Sequence, residues 1–163
     1  MSEMRRDMLA EESENSSLRE DPPATVRKEF TFPGDLDSLV ASREQVMDFI
    51  REFGCDEADE IDLMLAMQEA LANATLHGCG NDAGKSIWCA VEIEPSSVCI
   101  TVRDSGPGFE VEKIADPDHF DTTTLEHGRG IALMRGMVNE VTFDRGGSEV
   151  RLLKRTICNA TGS

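Results

Sequence analysis

Residues Ser86 to Glu94 alternate without a break: Ile87, Cys89, Val91 and Ile93 fall on one side, and Trp88, Ala90 and Glu92 on the other. A period of two marks a β-strand with one apolar face. Pro95-Ser96-Ser97 then reverses the chain, and Val98 to Asp104 returns as an apolar partner strand. The pair is an antiparallel hairpin, and its apolar face must be covered by other elements. Two amphipathic helices precede it. Asp35 or Asp37 caps the first, which runs to about Phe53 with Leu36, Leu39, Val40, Met47, Ile50 and Phe53 as its apolar stripe. Gly54 stops it. The second runs from Glu57 to His77; its acidic start (Asp56, Glu57, Asp59, Glu60) suits the positive end of a helix dipole. Ile61, Met64, Leu65, Leu71 and Ala72 are expected inward, with Gly78 and Gly80 closing the helix.

The remaining segments complete one domain. Val26 to Phe32 alternates, with Phe30, Phe32 and the stem of Lys28 sharing a face, and reads as an edge strand ended by Pro33-Gly34. Residues 105 to 127 have weak periodicity and read as a long lid, the kind of loop that is usually functional or disordered. A helix follows from Gly130 to about Val138. Val141 and Phe143, then Val150 and Leu152, suit two last strands about Gly146-Gly147. The order β-α-α-β-β-lid-α-β-β argues for an α+β fold, a two-layer α/β sandwich with a mixed, mostly antiparallel sheet. Residues 1–24, with seven acidic and three basic side chains and few large apolar ones, read as a disordered acidic tail. The domain is expected over 25–156 and a loose end over 157–163.

The formal net charge of -16 excludes direct nucleic-acid binding as the main role, because phosphate backbone would be repelled. No uninterrupted apolar run is long enough to cross a bilayer, and the first residues lack an apolar signal core, so a cytoplasmic location is expected. Five cysteines, widely spaced and without a CxxC pair, read as reduced thiols. His77 and Cys79 are too few to make a zinc site.

Three clusters carry chemistry. Glu69 and Asn73 lie four apart on the second helix, with His77 four further on, so the three share a face. A solvated polar stripe has the same spacing; the functional alternative is a carboxylate base beside an amide oxygen for Mg²⁺. Asp104-Ser105-Gly106-Pro107-Gly108 follows a strand directly. It is good turn chemistry, and it also sets a carboxylate beside glycines that admit a ligand closely. Gly128-Arg129-Gly130 is expected to open the last helix, where free N–H groups can hold phosphate. The string Gly78 to Ser86, GCGNDAGKS, ends like a P-loop but is not one. Its first glycine is one position too far back, and it links helix to strand rather than strand to helix.

In this order the three clusters resemble the motifs of the GHKL ATPase superfamily, whose nucleotide-binding domain is the Bergerat fold: Glu69-Ala-Leu-Ala-Asn73 is similar to its N box, Asp104-Ser-Gly-Pro-Gly108 to its first glycine box and Gly128-Arg-Gly130 to its second. The fuller strings Glu69 to Gly78, Gly128 to Met134 and Asn139-Glu-Val141 resemble bacterial anti-sigma factor serine kinases of the stress-response and sporulation type. The resemblance implies that Asp104 binds the adenine amino group, with Gly106 and Gly108 shaping the base pocket. Asn73 would bind Mg²⁺ and Glu69 would be the general base. The lid would close on ATP phosphates through Gly128, Arg129 and Gly130, and Ser148 stands where the family commonly has a threonine near the adenine. It further implies a homodimer that phosphorylates a serine on an anti-anti-sigma antagonist and holds a sigma factor inactive. Two other readings follow from the same motifs. One is an ATP-gated sequestering module without kinase activity. The other is a detached histidine-kinase catalytic domain, disfavoured because the polar stretch before Val26 offers no phosphoacceptor hairpin.

Overall fold

The computed structural model describes residues 25–114 and 122–159. Strand β1 (Val26–Gly34) leads into α1 (Leu36–Arg51) and α2 (Glu57–Asn73). The hairpin follows as β2 (Asp82–Glu94) and β3 (Ser97–Arg103). Then come a short α3 (Val111–Ile114), α4 (Thr122–Met137), β4 (Glu140–Asp144) and β5 (Glu149–Arg155). The five-stranded sheet has the order β1-β2-β3-β5-β4. Each of its described pairings is antiparallel. The expected two-layer α+β sandwich is therefore the observed architecture, with β1 on an edge as its pattern indicated, but the described sheet is antiparallel throughout rather than mixed.

The hairpin's register explains the core. Val91 stands opposite Ile100, Ile100 opposite Leu152, and Leu152 opposite Val141, so one row of β-branched and leucine side chains crosses four strands. Val91, Ile100 and Leu152 are fully buried, in one cluster with Leu63, Met67 and Leu71 of α2 and Met134 of α4. Burying each such side chain contributes roughly 1.5–3 kcal/mol. At the edge, Phe30, Phe49 and Phe53 meet edge to face in sequence, and the Lys28 ammonium lies 5.2 and 5.1 Å from the ring centres of Phe30 and Phe49. The stem of Lys28 thus covers the apolar face of β1 while its charge sits on ring faces. Behind the site, the Lys154 ammonium on β5 donates to Asp62 of α2 and to the Met137 carbonyl at the end of α4, both at 2.9 Å, tying both helices to the sheet.

Several expected details differ. Asp35 is the N-cap of α1, its carboxylate accepting from the Ser38 N–H at 2.9 Å. Leu36 and Val40 are exposed rather than part of the stripe. Val46, Met47, Phe49 and Ile50 define the buried face and all lie in the second half of α1, whereas Leu36 and Val40 lie in its first two turns. On α2 the phase decides: Ile61 is exposed because it lies about 180° from buried Ala70. The segment containing Gly84-Lys85-Ser86 is part of β2, so it is extended strand and no phosphate loop.

The cysteines correct a larger expectation. Cys55 and Cys158 form a disulfide across 103 residues, while Cys79, Cys89 and Cys99 are free and buried. The segment expected to be loose from 157 is held at Cys158, whose N–H also donates to the Pro95 carbonyl at 3.0 Å. Spacing along the chain carries no sign of this pairing, because the β2–β3 turn and the α1–α2 connection are brought together only by the finished sheet. Closing so long a loop stabilises the fold by about 2–4 kcal/mol. Reduction, or the Cys55→Ser/Cys158→Ser variant, is expected to lower the denaturant midpoint by a corresponding amount. Equilibrium unfolding with and without dithiothreitol measures it.

Candidate functional site

Glu69 and Asn73 sit on the last α-helical turns of α2, half-buried and on one face. Past Asn73 the helix widens into a π-helical turn, Ala74–Gly78, in which the Cys79 N–H reaches the Ala74 carbonyl at 2.8 Å. Such turns concentrate at functional sites. Here it rotates the helix end so that His77 and Gly78 reach the same cavity wall as Ala70, Asn73 and Ala74. A single helix therefore presents Glu69 and Asn73 in α register and Gly78 in π register.

The opposite wall is the end of β3 and the β4–β5 turn. Val102, Asp104, Gly108 and Phe109 line it together with Gly147, Ser148 and Val150. The cavity between the walls measures about 30 Å³. That is room for water molecules, and a larger ligand would fit only if the walls part. The Asp104 N–H donates to the Ser148 carbonyl at 3.0 Å, and its carboxylate accepts from the Gly106 N–H at 2.7 Å. The Ser148 hydroxyl donates to the Arg145 carbonyl at 3.0 Å, which holds that turn shut. The Phe109 N–H donates to the Gly146 carbonyl at 3.0 Å. Gly108 has φ +70°, and a Cβ there would collide with the Gly146 backbone, so both conformation and space require glycine. A Cβ on Gly106 would lie 2.5 Å from the Gly78 carbonyl oxygen.

Burial raises the Asp104 carboxyl above the ordinary aspartate range, and the Gly106 N–H partly offsets the rise. A half-buried, cavity-lining carboxylate with one oxygen bonded by backbone has the other free to accept from a ligand.

Gly128, Arg129 and Gly130 lie inside α4, not at its start, because the helix begins at Thr122. Packing overrides the low helix propensity of glycine, which costs about 1 kcal/mol per residue. A Cβ on Gly130 would stand 3.1 Å from Glu69 Oε2 and 3.4 Å from Asn73 Nδ2. Gly130 is thus the point where α4 closes on α2, directly over the acid–amide pair. Interior helical N–H groups are bonded within the helix, so the first turns of α4 must unwind before those of 128–130 meet a ligand. Arg129 is exposed.

Sequence reasoning thus named Glu69, Asn73, Asp104, Gly106, Gly108 and Ser148 among residues that the fold brings together, with Gly130 against the first two. It passed over Gly78, Phe109 and Gly147. Gly78 carried a signal, since it ends the Glu69–Gly78 string, but nothing local shows that Asp104 packs on it.

A family model described as a histidine kinase-like ATPase domain matches residues 32–154. An anti-sigma F factor of Anoxybacillus flavithermus is 33% identical over 114 residues, which are 64% of this chain and 77% of that protein. The anti-sigma F factor of Bacillus velezensis is 27% identical over 128 residues, 72% of this chain and 88% of that one. A crystal structure of the RsbU and RsbW domains of a Mycobacterium tuberculosis protein superposes with a TM-score of 0.58 at 19% identity, over 82% of this chain and 33% of that one, and shows the fold alone. The chain belongs to the histidine kinase-like ATPase family, among the relatives of the anti-sigma F factors. ATP is accordingly the nucleotide for which a domain of this family is built.

The raised Asp104 carboxyl sets a test of stability against pH. Its folded value lies above its unfolded one, so at neutral pH the fold holds a charge that burial disfavours. That penalty disappears as pH falls through the folded value. Asp104→Asn is expected to raise the thermal midpoint at neutral pH, with a gain that shrinks on acidification, while ADP affinity falls. Unfolding scans across pH measure the first effect and calorimetric titration the second; a gain independent of pH would contradict the assignment.

Proposed function

We propose that the protein is an ATP-dependent protein serine kinase and anti-sigma factor of a partner-switching system. It transfers phosphate to a serine of an anti-anti-sigma antagonist and sequesters a sigma factor. The observation that carries the reading is the placement of Glu69 and Asn73 on one helix face, under Gly130 and beside the Asp104 cavity. A binding module needs the cavity alone; a carboxylate next to the phosphate end serves transfer. The anti-sigma F factors that the chain resembles supply the class of partner.

In this reading Asp104 accepts a hydrogen bond from the adenine amine. Gly106 and Gly108 let backbone approach the base, and Ser148 lies beside it. Asn73 offers its amide oxygen to Mg²⁺, an ion that commonly takes one or two protein oxygens and completes its shell with phosphate and water. Held there, the ion would supply positive charge beside the phosphates. Glu69 takes the proton of the antagonist's serine hydroxyl as that oxygen bonds to the γ-phosphorus; the bond from γ-phosphorus to the bridging oxygen breaks, and ADP leaves. Gly128, Arg129 and Gly130 meet the phosphates once the start of α4 has opened. The active form is a homodimer, and the location is the cytoplasm, where a sigma factor is met. No described helix is long and apolar enough to cross a membrane. The Cys55–Cys158 bridge runs against a strongly reducing compartment, and its redox state in cells is a direct check on that location.

Glu69→Gln keeps the side chain's volume and removes the base. Phosphoryl transfer to the antagonist, read by intact mass, is expected to fall about 10²–10⁴-fold, with ADP affinity held within a few fold. Undiminished transfer by this variant would remove Glu69 from the chemistry.

A further inference from the structure

The Asp104 carboxylate is gripped from two sides. The Gly106 N–H donates to Oδ1 at 2.7 Å. On the other side lies Gly78, where a Cβ would fall onto the carboxylate, with Oδ2 at 2.6 Å. Gly78 is delivered there by the π-helical turn, closed by the bonds from Cys79 N–H to Ala74 at 2.8 Å and from Asn81 N–H to Thr75 at 2.9 Å. Gly78 and Gly106 also touch: a Cβ on Gly106 would lie 2.6 Å from Gly78 Cα. Two pieces of backbone are therefore packed against one carboxylate, which also lines the cavity.

We propose that Gly78 is a specificity-determining positioning residue, holding Asp104 so that Oδ2 faces the cavity and selects nucleobases that carry an exocyclic amine. The proposal rests on the reading that Asp104 accepts from that amine. Any side chain at 78 has to displace the carboxylate, because the far side is backbone at Gly106 rather than a flexible group. Among the described residues, the cavity of about 30 Å³ that Asp104 lines offers space for that movement. The π turn has a functional reason on this view. An α-helical continuation would not bring residue 78 to this position while leaving Asn73 aligned with Glu69.

The test compares ADP with purine riboside diphosphate, which lacks the amine, by calorimetric titration. The wild type is expected to prefer ADP by about tenfold or more, the worth of one hydrogen bond to a charged acceptor. In Gly78→Ala the preference is expected to shrink to about twofold or less, whatever happens to the absolute affinities. A wild type without preference overturns the Asp104 reading and this inference with it. A wild type with the preference and a Gly78→Ala variant that retains it overturns the inference alone. If Gly78→Ala does not fold, the double variant Gly78→Ala/Asp104→Gly decides. Recovery of the thermal midpoint of Asp104→Gly supports the proposal, since the missing carboxylate is then what alanine had struck. A double variant that also fails to fold overturns it.

Discussion

The site depends on how closely the end of α2 approaches the end of β3. Gly78 lies against the Asp104 carboxylate, and Gly106 against Gly78, at distances that no side chain fits. That approach is made possible by the core beneath it. The fully buried row Val91–Ile100–Leu152 draws β3 into the middle of the sheet, while Leu63, Met67 and Leu71 hold α2 flat on it. The strand then ends on Asp104 at the level where the helix ends in its π turn. Lys154 fixes the far end of the same layer, joining α2, α4 and β5.

Two tasks follow from this geometry, on different elements. The strand end and its turns form one wall of a small cavity and bring a single carboxylate, Asp104, to it. The helix carries Asn73 on the facing wall and Glu69 one turn before it. Gly130 of α4 covers that pair. Access to that pair therefore depends on α4, separately from the Asp104 cavity.

Much of this was legible in the sequence because its causes are local. The alternation from Ile87 to Ile93 and the Pro95-Ser96 turn dictate the hairpin, and the hairpin dictates a one-sided core. Asp104 could be singled out because a carboxylate ending an apolar strand, before two glycines, is rarely idle. The features that escaped are set by contacts between distant segments. The π turn leaves no mark on composition. The Cys55–Cys158 bridge joins a helix connection to the chain's end, which the sheet alone brings together. Gly128 and Gly130 read as a helix start because glycine disfavours helix interiors, yet both lie inside α4, where the tight crossing with α2 favours glycine at 130. Leu36, Val40 and Ile61 look like core by type and are exposed, Ile61 by its phase on α2 and the other two by their place in the first turns of α1.

The most direct test of the account is a crystal structure with ADP and Mg²⁺ bound. It is expected to place the exocyclic amine within hydrogen-bond distance of Asp104 Oδ2 and the ion on the amide oxygen of Asn73, with the start of α4 drawn away from Glu69. A base seated away from Asp104, or an ion held by neither Asn73 nor Glu69, would contradict it.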